Sequence, residues 1–180
     1  GIVAYSTAAY DSGESNAFNR DCPVIVGHNA LRDYVDARWT TTGTQAGTDL
    51  TPASNPARRA WDGRGSLSTN FLGTSNTVYF NAQIDPSTLD TMCIIFGGSF
   101  PSSSVTVQIA DDSAFTTNVV DFAGPFTGQT GCRLVRSFDD GSRYTSVEYV
   151  RIRITRDSGN LINQPSVAEF FIGRGRILSQ

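Results

Sequence analysis

The chain has 180 residues, a formal net charge of −3 and an apolar content of 39%, a composition typical of one globular domain rather than of a disordered or fibrous protein. The net negative charge disfavours a phosphate-binding surface and argues against nucleic acid as a partner. No run of eighteen apolar residues occurs, so the sequence predicts no membrane-spanning helix.

The residues that could supply reactive or metal-binding chemistry are three cysteines and one histidine. Cys22, Cys93 and Cys132 contain no Cys-x-x-Cys pair, so a zinc site lacks ligands. Whether Cys22 and Cys132 pair stays open, whereas Cys93 is predicted to be a small buried residue. His28 lies in a Gly-His-Asn segment typical of a surface turn, not of a base paired with a nucleophile. We therefore predict that the protein is not an enzyme.

Two pairs of adjacent acidic residues, Asp111–Asp112 and Asp139–Asp140, are alternative candidates for hydrolytic chemistry. A glycosidase needs two carboxyl groups that face each other across a sugar, either about 5 Å or about 6.5–9.5 Å apart. Adjacent residues in a turn point in different directions, and both pairs have turn composition. We interpret them as turns.

The first part of the chain carries weak periodicity. Residues 1–22 alternate small and polar groups and are predicted to form an irregular N-terminal arm. A short strand is predicted at 23–26, and residues 31–39 fit either one helical turn or an irregular strand. Residues 40–56 are rich in Thr, Gly, Ser, Asn and Pro and are predicted to form a long loop.

From residue 77 onward, apolar and polar residues alternate with a period of two, which indicates β-strands. The clearest strand is 147–155, with Val150, Ile152 and Ile154 facing inward and Arg151 and Arg153 outward. Strands are predicted at 77–84, 89–96, 105–109, 118–122, 132–138, 147–155 and 167–172. With the strand at 23–26, about eight strands predict an all-β antiparallel sandwich or jelly roll over 23–175, followed by a tail at 176–180.

Four motifs occur in the same order as in the discoidin (coagulation factor 5/8 C-type, galactose-binding-like) β-sandwich, which residues 50–175 resemble. They are Ala60-Trp-Asp-Gly63 with Ser68-Thr69-Asn70-Phe71, then Val78–Ile84, then Met92–Ile95, then Tyr149–Ile154 with Ala168–Gly173. The segment from Asp62 to Thr69 is about two residues longer than the usual form, and Phe71 replaces the usual Trp. The resemblance implies the fold, and the longer segment puts an inherited loop site in doubt.

The resemblance also implies two sites. A structural calcium ion would use oxygen ligands from Asp62, Ser68, Thr69 and Glu169. The alternative to a calcium site is a structural role, in which Asp62 caps its own turn and Glu169 pairs with an arginine. A sugar site would use aromatic and arginine side chains at loop tips, and the candidates for it are Trp39, Tyr34, Arg143 and Tyr144, each of which could equally pack against the core or its rim.

Two further segments, 109–115 and 171–177, resemble parts of small sandwich proteins in the virions of tailed bacteriophages. This resemblance implies a non-enzymatic structural or attachment protein of the tail or capsid, assembled in the host cytoplasm as a homo-oligomer. Residues 1–22 and 174–180 would dock to other virion proteins. The alternative function is a carbohydrate-binding module, a lectin for bacterial surface polysaccharide. An outward stripe of Arg151 and Arg153, together with Arg133 and Arg136, could form a basic face or an inter-subunit contact.

Overall fold

In the computed structural model the described residues are 2–4, 24–31, 37–44, 49–62, 67–97, 100–129, 132–136, 144–156 and 165–177. Within these ranges the chain forms eleven strands and one 3-10 turn. The strands are β1 (Ile2–Ala4), β2 (Val24–Asn29), β3 (Ala37–Thr40), β4 (Thr69–Asn70), β5 (Thr77–Leu89), β6 (Thr91–Phe96), β7 (Phe100–Ala110), β8 (Val120–Gln129), β9 (Cys132–Arg136), β10 (Tyr144–Thr155) and β11 (Ser166–Ile177); the 3-10 turn, η1, is Ala57–Ala60. Across the described ranges, no helix has the length and hydropathy needed to cross a membrane.

The strands form two antiparallel sheets. The six-stranded sheet has the order β1-β2-β11-β6-β9, with β4 also paired to β11, and the five-stranded sheet has the order β3-β5-β10-β7-β8. The expected all-β sandwich is therefore confirmed, with more and longer strands than the sequence predicts.

The core lies between the inner faces of the two sheets. In β10, Val150, Ile152 and Ile154 are all fully buried, as the alternation predicts. Phe170 and Ile172 of β11 belong to the same buried cluster from the opposite sheet. Burying an apolar side chain of this size contributes roughly 1.5–3 kcal/mol, so these facing rows hold the sandwich together.

The strand register defines two ends of the sandwich. At the first, here called the loop end, Thr155 pairs with Thr77 on one side and with Ser104 on the other. The connection from β3 to β5 leaves and returns at this end. At the second, here called the terminal end, Tyr144 pairs with Leu89, and β11 finishes beside the start of β2. Strands β2 and β11 thus meet away from the β3–β5 connection.

Several strands continue through segments that the sequence predicts as turns. β2 includes His28, which pairs with Arg174, so the predicted surface turn there is wrong. β5 continues past Pro86 to Leu89, because the pairing of β5 with β10 shifts register between Gln83 and Ser87. Such a bulge accommodates a proline that cannot donate to the ladder. β7 likewise begins at Phe100 and not after the serines.

The domain limits also differ from the prediction. Residues 2–4 pair with β2 as an edge strand, although the predicted arm at 1–22 is irregular. β11 continues through Ile177, which pairs with Val24, so the sheet includes the start of the predicted tail. Of the two alternatives for 31–39, residues 37–40 form strand β3. Cys93 is buried, as predicted, whereas Cys22 lies outside the described residues.

Candidate functional site

A short loop after β3 builds the wall of a surface cavity. The Leu50 N–H donates to the Trp39 carbonyl over 3.0 Å, so the loop follows the open edge of β3. Asp49 Oδ1 accepts the Thr51 N–H at 2.9 Å, and a turn from Pro52 to Asn55 closes the loop. Pro56 then precedes η1, whose Ala57 and Ala60 are buried. Buried alanines fix the loop on the core and leave its polar side chains outside.

The cavity lies between this loop and β3 and has a volume of about 330 Å³, at the lower end of the range for small-ligand sites. The lining residues combine small apolar surfaces with two charges of opposite sign; they are Ala37, Asp49, Thr51, Pro52, Ala53, Pro56, Ala57 and Arg58. The Thr51 Oγ1 atom is buried and has no hydrogen-bond partner among the described residues. We call this set of residues the β3 groove.

Trp39 supports the groove from below and is not part of a surface. Its indole is fully buried, with ring centroids 6.0 Å from Phe71 and 5.2 Å from Phe80. Its Nε1–H donates to Thr69 Oγ1 at 3.1 Å, and Thr69 Oγ1 donates to the Asn55 carbonyl at 3.2 Å. An indole without exposed surface offers no face to a ligand, so the expected sugar-binding role of Trp39 is corrected to a core role.

The other predicted ligand-binding residues lie away from the groove or outside the described residues. Tyr144 is half-buried at the terminal end, with its ring centroid 5.8 Å from that of Phe122. The partner of Trp39 on β5 is Phe80 and that of Tyr144 is Leu89, which separates the two by roughly 30 Å of strand. Trp39 and Tyr144 therefore do not form one site. Tyr34 and Arg143 lie outside the described residues.

The four predicted calcium ligands are only partly brought together. β4 pairs with β11 through Thr69 and Val167, which places Ser68 and Thr69 near the strand that carries the buried Glu169. The Ser68 hydroxyl donates to Asn70 at 3.0 Å, and Asp62 is exposed. Within the described ranges no three His, Cys, Asp or Glu side chains cluster around one point. Calcium binding stays a prediction.

A second polar region covers the outer face of the five-stranded sheet. Consecutive cross-strand pairs place one residue from each strand in a row across this face. In the order of the strands, these residues are Arg38, Asn81, Arg151, Gln108 and Asp121. Gln108 donates to Asp121 at 2.5 Å. The Arg133 and Arg136 positions lie on β9 of the other sheet, so the predicted single basic face of four arginines is wrong.

Arg151 is the centre of this row. Its Nε donates to Gln108 at 2.6 Å, and an Nη donates to the Gly43 carbonyl at 2.8 Å. The guanidinium lies between the rings of Tyr79 and Phe115, at 5.0 and 4.1 Å from their centroids. Burial lowers the pKa of Arg151, although an arginine stays protonated at any physiological pH. Arg151 thus joins two loops to the sheet.

Several solved structures with the same architecture are carbohydrate-binding modules. Chitosan-binding module 1 of a chitosanase/glucanase from Paenibacillus sp. IK-5 matches with a TM-score of 0.63 and 19% identity, over 82% of this chain and 100% of that module. The Clostridium perfringens module CpGH89CBM32-4 matches with a TM-score of 0.59 and 10% identity, over 82% and 100%. The fold is the discoidin-like β-sandwich.

Chitosan-binding module 2 of the same Paenibacillus enzyme, solved with chitotriose, has this discoidin-like fold too, with a TM-score of 0.56, 13% identity and coverage of 78% and 98%. At these identities the likeness extends to the fold alone. Neither the protein-family models nor the curated protein sequences give a match to the chain. The predicted discoidin-like fold is confirmed, and the bacteriophage context finds no support in these comparisons.

Sequence reasoning missed the β3 groove. Asp49 and Arg58 stand in a stretch whose composition indicates only a loop, and nothing in their spacing marks a site. A weak signal was present in the two prolines, Pro52 and Pro56, because they fix the backbone of a loop that must keep its shape. What the sequence does not contain is the path of this loop along β3, which depends on the Leu50–Trp39 backbone hydrogen bond.

Proposed function

We propose that the protein is a non-catalytic carbohydrate-binding module. The observation that carries the proposal is the extent of the structural match: about four-fifths of this chain superposes on the whole of a chitosan-binding module. Whole single modules of this kind are therefore structural equivalents of the chain. A fold alone does not define a function, so the proposal also depends on the β3 groove.

The β3 groove has the chemistry that a sugar requires. A sugar ring presents hydroxyl groups around its rim and C–H groups on its faces. Asp49 can accept hydroxyl hydrogens, the exposed Arg58 can donate to ring and hydroxyl oxygens, and Pro52 and Pro56 supply apolar surface. The buried Thr51 hydroxyl lacks a partner among the described residues, and it gains one if a ligand displaces the atoms that cover it. An unsatisfied buried polar group costs about 1–3 kcal/mol, and binding would recover part of that cost.

The composition of the groove favours binding over hydrolysis. Glycoside hydrolysis by the usual mechanism needs two carboxyl groups on opposite sides of the scissile bond. Among the described residues that line the β3 groove, Asp49 is the only carboxylate. We therefore propose that a glycan is held here without being cleaved.

The test is calorimetric titration of the purified protein with chitotriose, with GlcNAc-α-1,4-galactose and with soluble bacterial surface polysaccharide. We expect saturable binding of at least one, weakened about tenfold by Asp49→Asn or Arg58→Gln, since one hydrogen bond to a charged group contributes about 1.5–3 kcal/mol. The matched control is Arg174→Gln, which removes an exposed arginine from the other sheet. Absence of binding to all three ligands, or equal loss in Arg174→Gln, would contradict the proposal.

Thr51→Val gives an independent readout at the groove. The substitution removes a hydroxyl that has no partner among the described residues and keeps the shape of the side chain. We expect unchanged or higher stability together with weaker glycan binding. A stability loss of the size seen for a hydrogen-bonded threonine would show that the hydroxyl serves the fold instead.

The virion interpretation stays a prediction and is compatible with this proposal, since attachment of a particle to a host glycan would use the same groove. Docking to other virion proteins needs a self-associating or partner-binding surface. Sedimentation of the isolated chain distinguishes the two: an assembly of defined stoichiometry supports the structural role, and a monomer that binds glycan supports the lectin role alone.

A further inference from the structure

Arg156 follows directly after β10 at the loop end, and its side chain is only 4% exposed. Burying a guanidinium is costly unless acceptors surround its N–H groups. Its Nε donates to the Ser75 carbonyl at 3.0 Å, and an Nη donates both to that carbonyl and, at 3.3 Å, to the Gly73 carbonyl. The Arg156 main-chain N–H donates to the Asn76 carbonyl at 2.7 Å. Arg156 therefore holds the main chain that connects β4 to β5.

This connection, here called the 71–76 segment, is held on both sides of Leu72. Before Leu72, the Phe71 ring is fully buried, and the Arg156 guanidinium lies 5.5 Å from its centroid. After Leu72, the Gly73 carbonyl accepts from Arg156, and a Cβ added to Gly73 would lie 2.9 Å from the Phe71 ring. The Leu72 side chain itself is 44% exposed, so the position of Leu72 depends on its two neighbours and not on its own burial.

Leu72 connects the 71–76 segment to the β3 groove. The Leu72 N–H donates to the Leu50 carbonyl at 3.2 Å, and the Leu50 N–H donates to the Trp39 carbonyl at 3.0 Å. Leu50 is thus bonded on one side to β3 and on the other to the 71–76 segment. Leu50 stands between Asp49 and Thr51, and both of these residues line the groove. The placement of the two groove residues therefore depends on where Leu72 is held.

The chemistry of arginine suits this role, and that of lysine does not. Two carbonyls at different positions must be bonded at once while the charged group lies against a ring. The planar guanidinium does this with separate N–H groups in a fixed fork. An ammonium is a compact, strongly hydrated charge on a flexible stem, so a lysine at position 156 would not hold Gly73 and Ser75 together. Burial lowers the pKa of Arg156, but the guanidinium stays protonated at physiological pH.

We propose that Arg156 is a positioning residue for the β3 groove. By holding the 71–76 segment, it keeps the Leu72 N–H on the Leu50 carbonyl. Asp49 and Thr51 are thereby kept in the arrangement that binds a glycan. Arg156 is not among the described residues that line the groove, and it needs no contact with the ligand. This inference rests on the proposed function and assigns a residue that keeps its site in shape.

The experiment measures glycan affinity and urea unfolding of the full chain, with whichever of the three ligands named above the wild type binds. The control for lost stability is Val147→Ala, which removes buried apolar volume from the terminal end of the same strand. We expect Arg156→Lys to weaken binding about tenfold at a temperature where it is folded, and Val147→Ala to change affinity less than twofold. In an Asp49→Asn background, Arg156→Lys should weaken binding less than about threefold, because residues that act through one another are not additive.

A second pair of variants tests the hydrogen bond at Leu72 and leaves Arg156 in place. Leu72→Pro removes the donor, because proline has no backbone N–H, at a position whose side chain is exposed. We expect it to weaken glycan binding about as much as Arg156→Lys, and the two changes together to weaken it little more than either alone. Leu72→Ala keeps the N–H. A loss in Leu72→Ala equal to that in Leu72→Pro would assign the effect to the side chain and overturn the inference.

The remaining outcomes distinguish this inference from the proposed function. If Asp49→Asn weakens glycan binding but Arg156→Lys binds like the wild type, the inference fails and the groove stands as the binding site. A tenfold loss from Arg156→Lys in both backgrounds would show that the arginine does not act through the segment beside Asp49, and would overturn the inference. An equal loss in Val147→Ala would reduce its role to overall stability, with the same consequence. If the wild type binds none of the three ligands, the proposed function fails and this inference fails with it.

Discussion

The Trp39 indole N–H donates to the Thr69 hydroxyl, and this one hydrogen bond joins the two sheets at the loop end. Trp39 lies on β3 of the five-stranded sheet, and Thr69 lies on β4 of the six-stranded sheet. The same hydroxyl then donates to the Asn55 carbonyl, just before η1. The loop that carries the β3 groove is thereby tied to the centre of the core.

Removing the Thr69 hydroxyl should therefore lower both the stability of the fold and the affinity of the β3 groove for glycan. Thr69→Val keeps the volume but leaves the buried indole N–H without an acceptor, which costs about 1–3 kcal/mol. Thr69→Ser keeps the hydroxyl and loses one methyl group, at about 0.8 kcal/mol. Urea unfolding measures both, and glycan affinity should fall with Thr69→Val at a temperature where the variant is folded. Equal stability of the valine and serine variants would show that the hydrogen bond contributes little.

Arg151 should be replaceable neither by lysine nor by a neutral residue. Lysine keeps the charge but cannot donate in a planar fork to Gln108 and Gly43 while stacking on two rings. We expect Arg151→Lys to destabilise the protein by about 2 kcal/mol, the size of a lost hydrogen bond to a charged group. The matched control is Arg153→Lys on the same strand, which should stay within about 0.5 kcal/mol of wild type. Similar losses in both variants would mean that charge alone matters at these positions.

The fold could be predicted from the sequence where burial alternates over long strands. In β10, Ile152 and Ile154 alternate with Arg151 and Arg153 because one face of the strand is buried and the other faces outward. The ends of strands could not be predicted, because they depend on pairing partners distant in sequence. His28 and Pro86 both stand in segments of turn composition, yet backbone pairing with β11 and β10 keeps the chain extended there.

The candidate site was less predictable than the fold for the same reason. The four residues of β3 are too few to show a period, so the sequence does not indicate whether the Trp39 side chain faces the core or the solvent. Its partner Thr69 is thirty positions away. The positions of Asp49 and Arg58 beside β3 depend on the path of a loop. Loop composition indicates that the chain turns, but it does not indicate which strand the loop then packs against.

The calcium prediction can be decided on the same protein. Glu169 is a buried carboxylate, and a buried charge is stable only beside a compensating one. If a calcium ion supplies that charge with Thr69 nearby, calcium at a hundred times its dissociation constant stabilises the fold by about 2.7 kcal/mol. Glu169→Gln should abolish that shift, whereas Asp49→Asn should keep it. Identical unfolding midpoints in calcium and in EDTA would contradict the prediction and favour the alternative of an arginine partner.

The loop that places Phe115 against Arg151 should be sensitive to acid. Asp112 accepts backbone N–H groups of Thr117 at 2.7 Å, Thr116 at 2.9 Å and Ala114 at 3.2 Å, as well as the Thr116 hydroxyl. These hydrogen bonds lower the pKa of Asp112, and the one from the Thr117 N–H has the largest effect. A carboxyl group whose pKa is lower in the folded state stabilises the fold above its unfolded pKa, about 3.9 for aspartate, and this stabilisation disappears as the pH falls through the lower, folded pKa.

Asp112→Asn removes the charge and keeps one acceptor oxygen. We expect the variant to be less stable than wild type at pH 7, and the difference to shrink as the pH falls below about 4, where the wild-type carboxyl takes up its proton. Denaturant unfolding from pH 7 to pH 3 at constant ionic strength measures this difference. Asp111→Asn is the matched control, since that side chain accepts one bond, from Asn118 at 2.6 Å, and should cost less at pH 7. A gap between wild type and Asp112→Asn that stays constant with pH would show that shape, and not charge, holds the loop against Arg151.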